Sequence, residues 1–200
     1  MNIAVFVSGR GSNLNAIIES EDLKNLISIK AVFSDKSDCP AFEIAKKNSI
    51  PTFSIGKTEG SLSSDKLFSK LIELEIDLIV LAGYLKLIPG EIVSKFKHRI
   101  INIHPALLPS FGGKGMYGMN VHKAVFEASS KVSGATVHFI DEEYDKGIII
   151  AQKSVDISDV QSAEEIASKV LKIEHEILPF VIKKIAEGKV KVEGSRAVYT

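Results

Sequence analysis

The chain has a single cysteine, Cys39, among its 200 residues. An internal disulfide and a multi-cysteine zinc site are therefore excluded. It also has no excess charge, since 25 Lys and Arg balance 25 Asp and Glu. No overall field draws it to nucleic acid or to an anionic membrane, although local anion sites stay open. Long hydrophobic runs are missing too, and none approaches the ~20 residues that a spanning helix needs. The N-terminus reads directly as a strand, without a basic region and apolar stretch ahead of a cleavage site, so no secretory leader is expected. These absences predict a soluble, cytoplasmic protein.

What is present is a composition 45% apolar and 25% charged, which is that of a globular chain. The length fits one domain, 1–200, able to bury a substantial core. Strand and helix patterns alternate in its first half. Segments rich in apolar residues at Ile3–Val7, Ile29–Phe33, Leu78–Ala82 and Ile100–Ile103 read as strands, and Thr52–Ser54 as a short strand after Pro51. Helical spacing lies between them at Leu14–Glu19, Ala41–Asn48, Asp65–Glu75 and Glu91–Phe96. Continuous apolar strands interleaved with helices predict an α/β fold, Rossmann-like, with a mostly parallel sheet flanked by helices.

The second half differs. Pro105–Gly118, with four glycines close together, predicts a long surface loop of the kind that serves as a lid. A helix near Val121–Ala128, strands at Ala135–Phe139 and Ile148–Val155, and a long helix from Ala163 to about Glu187 follow. Gly188 is placed to end that helix, and a last short strand is expected near Val190–Val192. The strand order of this half is not readable from the pattern.

Asn102-Ile103-His104-Pro105 is the best active-site candidate. Side chains alternate along a strand, so Asn102 and His104 project the same way, and Pro105 stops the strand just beyond them. An amide donor beside an imidazole suits a reaction in which a carbonyl oxygen gains charge while protons move. A histidine inside an apolar strand is in general more often a satisfied core residue than a catalyst. Here Asn102 shares its face, and Asp145 stands in an acidic loop, Asp141–Gly147, between two strands. A carboxylate near His104 is expected to raise its pKa and hold the ring. His122, His138 and His175 form no metal-binding pattern, and no nucleophilic serine sits in a Gly-x-Ser-x-Gly elbow. The pattern points to direct transfer, with no metal and with the nucleophile supplied by the substrate.

Two further segments belong with this one. Ser8-Gly9-Arg10-Gly11-Ser12-Asn13 joins a strand to a helix, where glycines and free N–H groups suit a phosphate. A plain tight turn capped by Ser12 or Asn13 would explain it as well. A dinucleotide reading draws on Asp35, about 20 residues on, but Leu14 stands where the third glycine or an alanine belongs. Leu81–Pro89 leaves a buried strand and keeps apolar side chains in a loop. It reads either as core packing or as the wall of a cleft for a flat aromatic ligand.

Together, Ser8-Gly-x-Gly-Ser-Asn13, Leu81-Ala-Gly-Tyr84, Ile101-Asn-Ile-His-Pro-x-Leu-Leu-Pro109, Thr136-Val-His-Phe139, Asp145-x-Gly147 and Glu174-His175 resemble the folate-dependent phosphoribosylglycinamide formyltransferases. The resemblance covers nearly the whole chain. It implies the formyltransferase type of fold, with a phosphate-binding half at about 1–100 and a folate and catalytic half at about 101–200. It implies small-molecule partners, glycinamide ribonucleotide and 10-formyltetrahydrofolate, the latter as co-substrate, in purine biosynthesis. Gly11, Ser12 and Asn13 would hold the substrate phosphate, and Glu174 the ribose hydroxyls. Tyr84, Leu85, Lys86, Leu87 and Ile88, with Asp141, Glu142, Glu143, Tyr144 and Asp145, would line the pterin pocket, which Asn102 also touches. Lys66 is the candidate for a basic residue near the folate. Asn102 and His104 would stabilise the tetrahedral intermediate, and Asp145 would keep His104 charged and help relay the proton. The chain departs from the family at Lys146-Gly147-Ile148, where Gly-Gly-Pro is usual. A monomer or homodimer is expected. A 10-formyltetrahydrofolate hydrolase using the same three residues is the main alternative. A methionyl-tRNA formyltransferase and a nicotinamide-dependent oxidoreductase are further ones.

Overall fold

A computed structural model describes residues 1–141 and 143–200. Its strands form one mostly parallel seven-stranded sheet, in the order β3-β2-β1-β4-β5-β6-β7: β1 Asn2–Val7, β2 Ser28–Ser34, β3 Thr52–Ser54, β4 Leu78–Leu81, β5 Ile100–His104, β6 Val132–Phe139 and β7 Ile149–Asp156. The chain divides into two compact units, Met1–Ile101 and Asn102–Thr200, so the division falls inside β5.

In the first unit β1 is central and pairs in parallel with β2 on one side and β4 on the other. Parallel strands need crossovers, supplied here by α1 Ser12–Glu19, α2 Ala41–Lys47 and α3 Ser64–Glu73, with α4 Gly90–Lys95 following β4. Ile3 to Val7 of β1 and Leu78 to Val80 of β4 are essentially without exposure, which is why both read as unbroken apolar runs. Phe6 stacks on Phe33 at 4.9 Å between centroids, Phe33 on Phe53 at 5.4 Å, and Tyr84 meets Phe6 edge-on at 5.4 Å. Phe6 and Phe33 are fully buried, and each contributes about 1.5–3 kcal/mol relative to exposure. Strand order reverses between β1 and β4, and the crevice beyond the carboxyl ends of such a pair is where open α/β sheets bind ligands.

The second unit holds the end of β5, α5 Met119–Glu127, β6, β7 and the 24-residue helix α6 Ala163–Ala186. Both ends of α6 are set by local chemistry. Ser162 accepts from the Glu165 N–H at 3.2 Å, and Glu165 reaches back to the Gln161 N–H at 2.9 Å. Gly188, at φ 69°, closes a Schellman turn with Gly188 N–H to the Ile185 carbonyl and Lys189 N–H to the Lys184 carbonyl. β7 runs antiparallel to β6. The expected last strand is one arm of a hairpin, β8 Val190–Glu193 with β9 Arg196–Tyr199, whose second arm the pattern did not announce. Residues 105–118 contain neither helix nor strand, as expected of the glycine-rich segment.

Gly134 in β6 is required by packing. A Cβ there would lie 2.2 Å from the Lys153 carbonyl oxygen of β7 and 2.8 Å from a Leu107 methyl. Gly90, by contrast, faces open space. Gly134→Ala is expected to lower stability by about 1–3 kcal/mol through overpacking, whereas Gly90→Ala stays within about 0.5 kcal/mol of the parent. Urea unfolding of the two variants checks this, and equal midpoints would contradict it.

Candidate active site

In the second unit, β5 delivers Asn102 and His104 to its carboxyl end, and the chain leaves the sheet at Pro105 as the sequence predicts. The loop after β6 brings Asp145 to them. His104 is only 3% exposed, and its Nδ1 lies 3.7 Å from Asp145 Oδ2. A second imidazole, that of fully buried His138 in β6, places Nε2 3.6 Å from Asp145 Oδ1. The carboxylate thus stands between two rings, beyond hydrogen-bond reach of each but well inside the range of strong electrostatic coupling.

Backbone carbonyls set the tautomers, because a carbonyl only accepts. His104 Nε2 lies 2.9 Å from the Phe111 carbonyl oxygen and therefore donates to it, which leaves Nδ1 bare in the neutral ring. His138 Nδ1 donates in the same way to the Phe139 carbonyl at 2.9 Å, so Nε2 accepts from the Asn102 amide at 3.2 Å. His138 consequently fixes which way the Asn102 amide faces, with one N–H inward and the second left for another partner.

Asp145 is held from the glycine-rich loop. The Gly113 N–H donates to Oδ2 at 2.8 Å. A Cβ on Gly112 would come within 2.4 Å of Leu108 and 3.3 Å of the Asp145 Cβ, and one on Gly147 would meet the Phe139 carbonyl oxygen at 1.8 Å. Asp145 and Phe111 both take left-handed backbone, at φ 55° and 54°. Non-glycine residues do so at a cost of about 1–3 kcal/mol, tolerated where surrounding contacts over-determine the position. Behind the loop, Thr136 Oγ1 donates to the Ala106 carbonyl and accepts from the Leu108 N–H, tying the start of the loop to β6.

The electrostatics correct one expectation. Asp145 does act to raise the His104 pKa, as expected, but it does not keep the ring charged. Burial, which disfavours the charged ring, is the larger effect, and with the nearby His138 it holds the pKa below the usual histidine value despite Asp145 and the Phe111 carbonyl. His104 is therefore neutral at neutral pH. Burial opposes charge on Asp145 as well, but the His138 ring, the Gly113 N–H and neighbouring His104 outweigh it and keep the carboxyl below its usual range. The result is an ionised carboxylate behind a neutral imidazole whose bare nitrogen faces it. Any proton reaching that nitrogen becomes half of an ion pair.

The first unit carries the other predicted segments. Gly11, at φ 80°, precedes α1 as its N-cap residue and offers no side-chain cap. Gly11 is a glycine for packing reasons as well, since a Cβ would fall 2.6 Å from that of Ala41. Buried Cys39 donates its thiol to the Gly9 carbonyl at 3.3 Å. Asp35, the residue on which a ribose-binding reading rests, accepts the Ser8 hydroxyl at 2.5 Å. In the loop after β4, Leu85 and Leu87 are 43% and 57% exposed, a sharp contrast with the buried strand before them. Tyr84 is partly covered, and burial, with Asp35 adding to it, pushes its phenol up to about 12.

Lys66 lies exposed on α3, and Glu174 is buried on α6. Asp141 accepts the Glu143 N–H at 2.9 Å, Tyr144 is exposed, and Glu142 lies outside the described residues. No group of three or more metal-ligating side chains occurs among the described residues. His138 is the site residue that sequence reasoning passed over. Its one signal in the sequence is the Thr136-Val-His-Phe139 motif, to which no role was attached.

The sequence matches the formyl transferase family over residues 1–182. The chain belongs to that family. It is 46% identical over 194 residues to the chloroplastic phosphoribosylglycinamide formyltransferase of Arabidopsis thaliana, covering 94% of this chain and 66% of that protein. It thus spans about two thirds of that plant relative's length. Identity to the phosphoribosylglycinamide formyltransferase of Haemophilus influenzae is 35% over 199 residues, covering 98% of this chain and 92% of that one. The crystal structure of the corresponding protein from Anaplasma phagocytophilum superposes with a TM-score of 0.90 at 34% identity, over 100% of this chain and 94% of the other. The Rossmann-like, mostly parallel formyltransferase fold expected from the sequence is the fold of these relatives.

His122 of α5 gives the site a measurable pH signature. It is 5% exposed, and burial together with neighbouring His104 pushes its pKa down from 6.5 to about 4. A histidine with a lower pKa folded than unfolded binds fewer protons in the native state, so stability falls as pH is lowered through the window from about 6.5 to about 4. His122→Gln is expected to flatten that fall, read as the change in urea midpoint between pH 7 and pH 4.5. A wild-type midpoint insensitive to pH in this window would contradict the assignment.

Proposed function

We propose that this chain transfers the formyl group of 10-formyltetrahydrofolate to the amine of glycinamide ribonucleotide. The observation that carries the reading is the carboxylate of Asp145 set between two imidazoles, with the Asn102 amide oriented by one of them. The names of the relatives agree with it, as do the exposed apolar side chains after β4, which suit a flat ring.

In this reading the substrate amine attacks the formyl carbon directly, and no enzyme nucleophile is needed. Asn102 uses one amide hydrogen on His138 and offers the other to the oxygen that gains charge. His104 offers its Nε2–H to the same oxygen, exchanging it from the Phe111 carbonyl. Such preorganised donors contribute about 3–4 kcal/mol each to a transition state. The proton released by the amine passes to the leaving nitrogen with Asp145 as the anchoring charge. Its ionised state and the neutrality of His104 support a site that accepts positive charge transiently and gives it up again. Gly11, Ser12 and Asn13 hold the phosphate, Glu174 the ribose, and Tyr84 to Ile88 the pterin, with Asp141, Glu143, Tyr144 and Lys66 as further folate contacts.

The absorbance change of the formyl donor, followed with and without the ribonucleotide, tests the assignment. Deformylation that requires glycinamide ribonucleotide is expected. Deformylation without it would make the chain a hydrolase, and none at all would remove the reading. His104→Ala and Asp145→Asn are each expected to lower turnover about 10²–10⁴-fold with the fold intact. Near-normal rates in either variant would sink the mechanism. Glycinamide riboside, which lacks the phosphate, is expected to show a higher KM than the ribotide. Equal reactivity would remove the phosphate role of the Gly11–Asn13 turn.

A further inference from the structure

Ser8 is not among the residues that the sequence pattern assigns to a ligand, and it stands where the sheet order of the first unit reverses. It is the first residue beyond β1 and is only 1% exposed. Its hydroxyl donates to Asp35 Oδ1, beyond β2, at 2.5 Å, and accepts from the Leu85 N–H, in the loop beyond β4, at 3.0 Å. Its own N–H donates to the Gly83 carbonyl at 3.1 Å. One small side chain therefore ties together the carboxyl ends of three neighbouring parallel strands. In the middle of the loop it grips, Leu85, Lys86 and Leu87 are all exposed, while Ile88 at its end is buried. Tyr84, next to the pinned amide, packs edge-on against Phe6, so the backbone is fixed on one side by a ring and on the other by a hydroxyl.

We propose that Ser8 is a positioning residue for the formyl donor, its hydroxyl setting the Tyr84–Ile88 loop against which the pterin binds. This rests on the formyl-transfer reading above. A buried serine whose hydroxyl is both donor and acceptor leaves two groups without partners when it is removed: the Leu85 N–H and the Asp35 carboxylate. The loop then loses its fixed geometry, while α1 and its preceding turn keep their own contacts, among them Ala41 N–H to the Gly9 carbonyl at 3.2 Å. The consequence is selective, falling on one substrate of two.

Ser8→Ala is expected to raise the KM for 10-formyltetrahydrofolate about tenfold, while the KM for glycinamide ribonucleotide changes far less. Amide hydrogen exchange over residues 83–88 is expected to quicken, with exchange over β1 and β4 unchanged. Asp35→Asn, which keeps an oxygen for the Ser8 hydroxyl, is expected to raise the folate KM less than Asp35→Ala. A rise confined to the ribonucleotide KM, an equal rise in both, or unchanged exchange over 83–88 overturns the proposal while formyl transfer stands. A wild-type protein that transfers no formyl group overturns the functional reading and this proposal with it.

Discussion

Parallel pairing of β1 with β2 and β4 is the constraint on which the first unit depends. A parallel strand cannot turn back on itself, so each must be followed by a crossover, and every strand ends at the same edge of the sheet. Helices cover the faces, the strands lose both faces to the core, and polar residues are driven to the ends. Ser8, Asp35 and Tyr84 are near one another because they are the first polar residues after three such strands. Their sequence separation is large and their placement is a consequence of topology.

The second unit solves a different problem, that of holding a charge where water is scarce. A carboxylate with little exposure must be compensated or it neutralises. Asp145 is compensated by the Gly113 N–H, which donates to Oδ2, and it stands beside two imidazoles, each locked in orientation by a carbonyl. The glycines of the 105–118 segment acquire a specific purpose here. Gly112 allows the loop to pass against the Asp145 Cβ, and Gly113 presents the N–H that the carboxylate needs. A loop that composition marks as a lid is, at its first turn, a structural part of the site.

Competition between burial and charge decides the protonation of this cluster. Asp145 alone would favour a cationic His104, but taking the ring out of water matters more. A neutral ring beside an ionised carboxylate is better suited to receiving a proton briefly than one already charged. His122 belongs to the same balance as a buried neutral ring, while His138 takes part as the hydrogen-bond acceptor for Asn102.

Periodicity and turn chemistry were enough, without tertiary information, to determine the alternation of elements, the end of β5 at Pro105, the stop of α6 at Gly188 and the shared face of Asn102 and His104. All of these are local, set by backbone geometry and by burial on a two-residue or 3.6-residue period. Only the tertiary structure decided the sheet order across the second half, the hairpin partner of β8, the bridge from Ser8 to Leu85, and the place of His138 beside Asp145. It also decided the direction of the His104 pKa, because desolvation is a property of everything packed around a ring. A sequence names its charges, but what surrounds them is settled by residues far away along the chain.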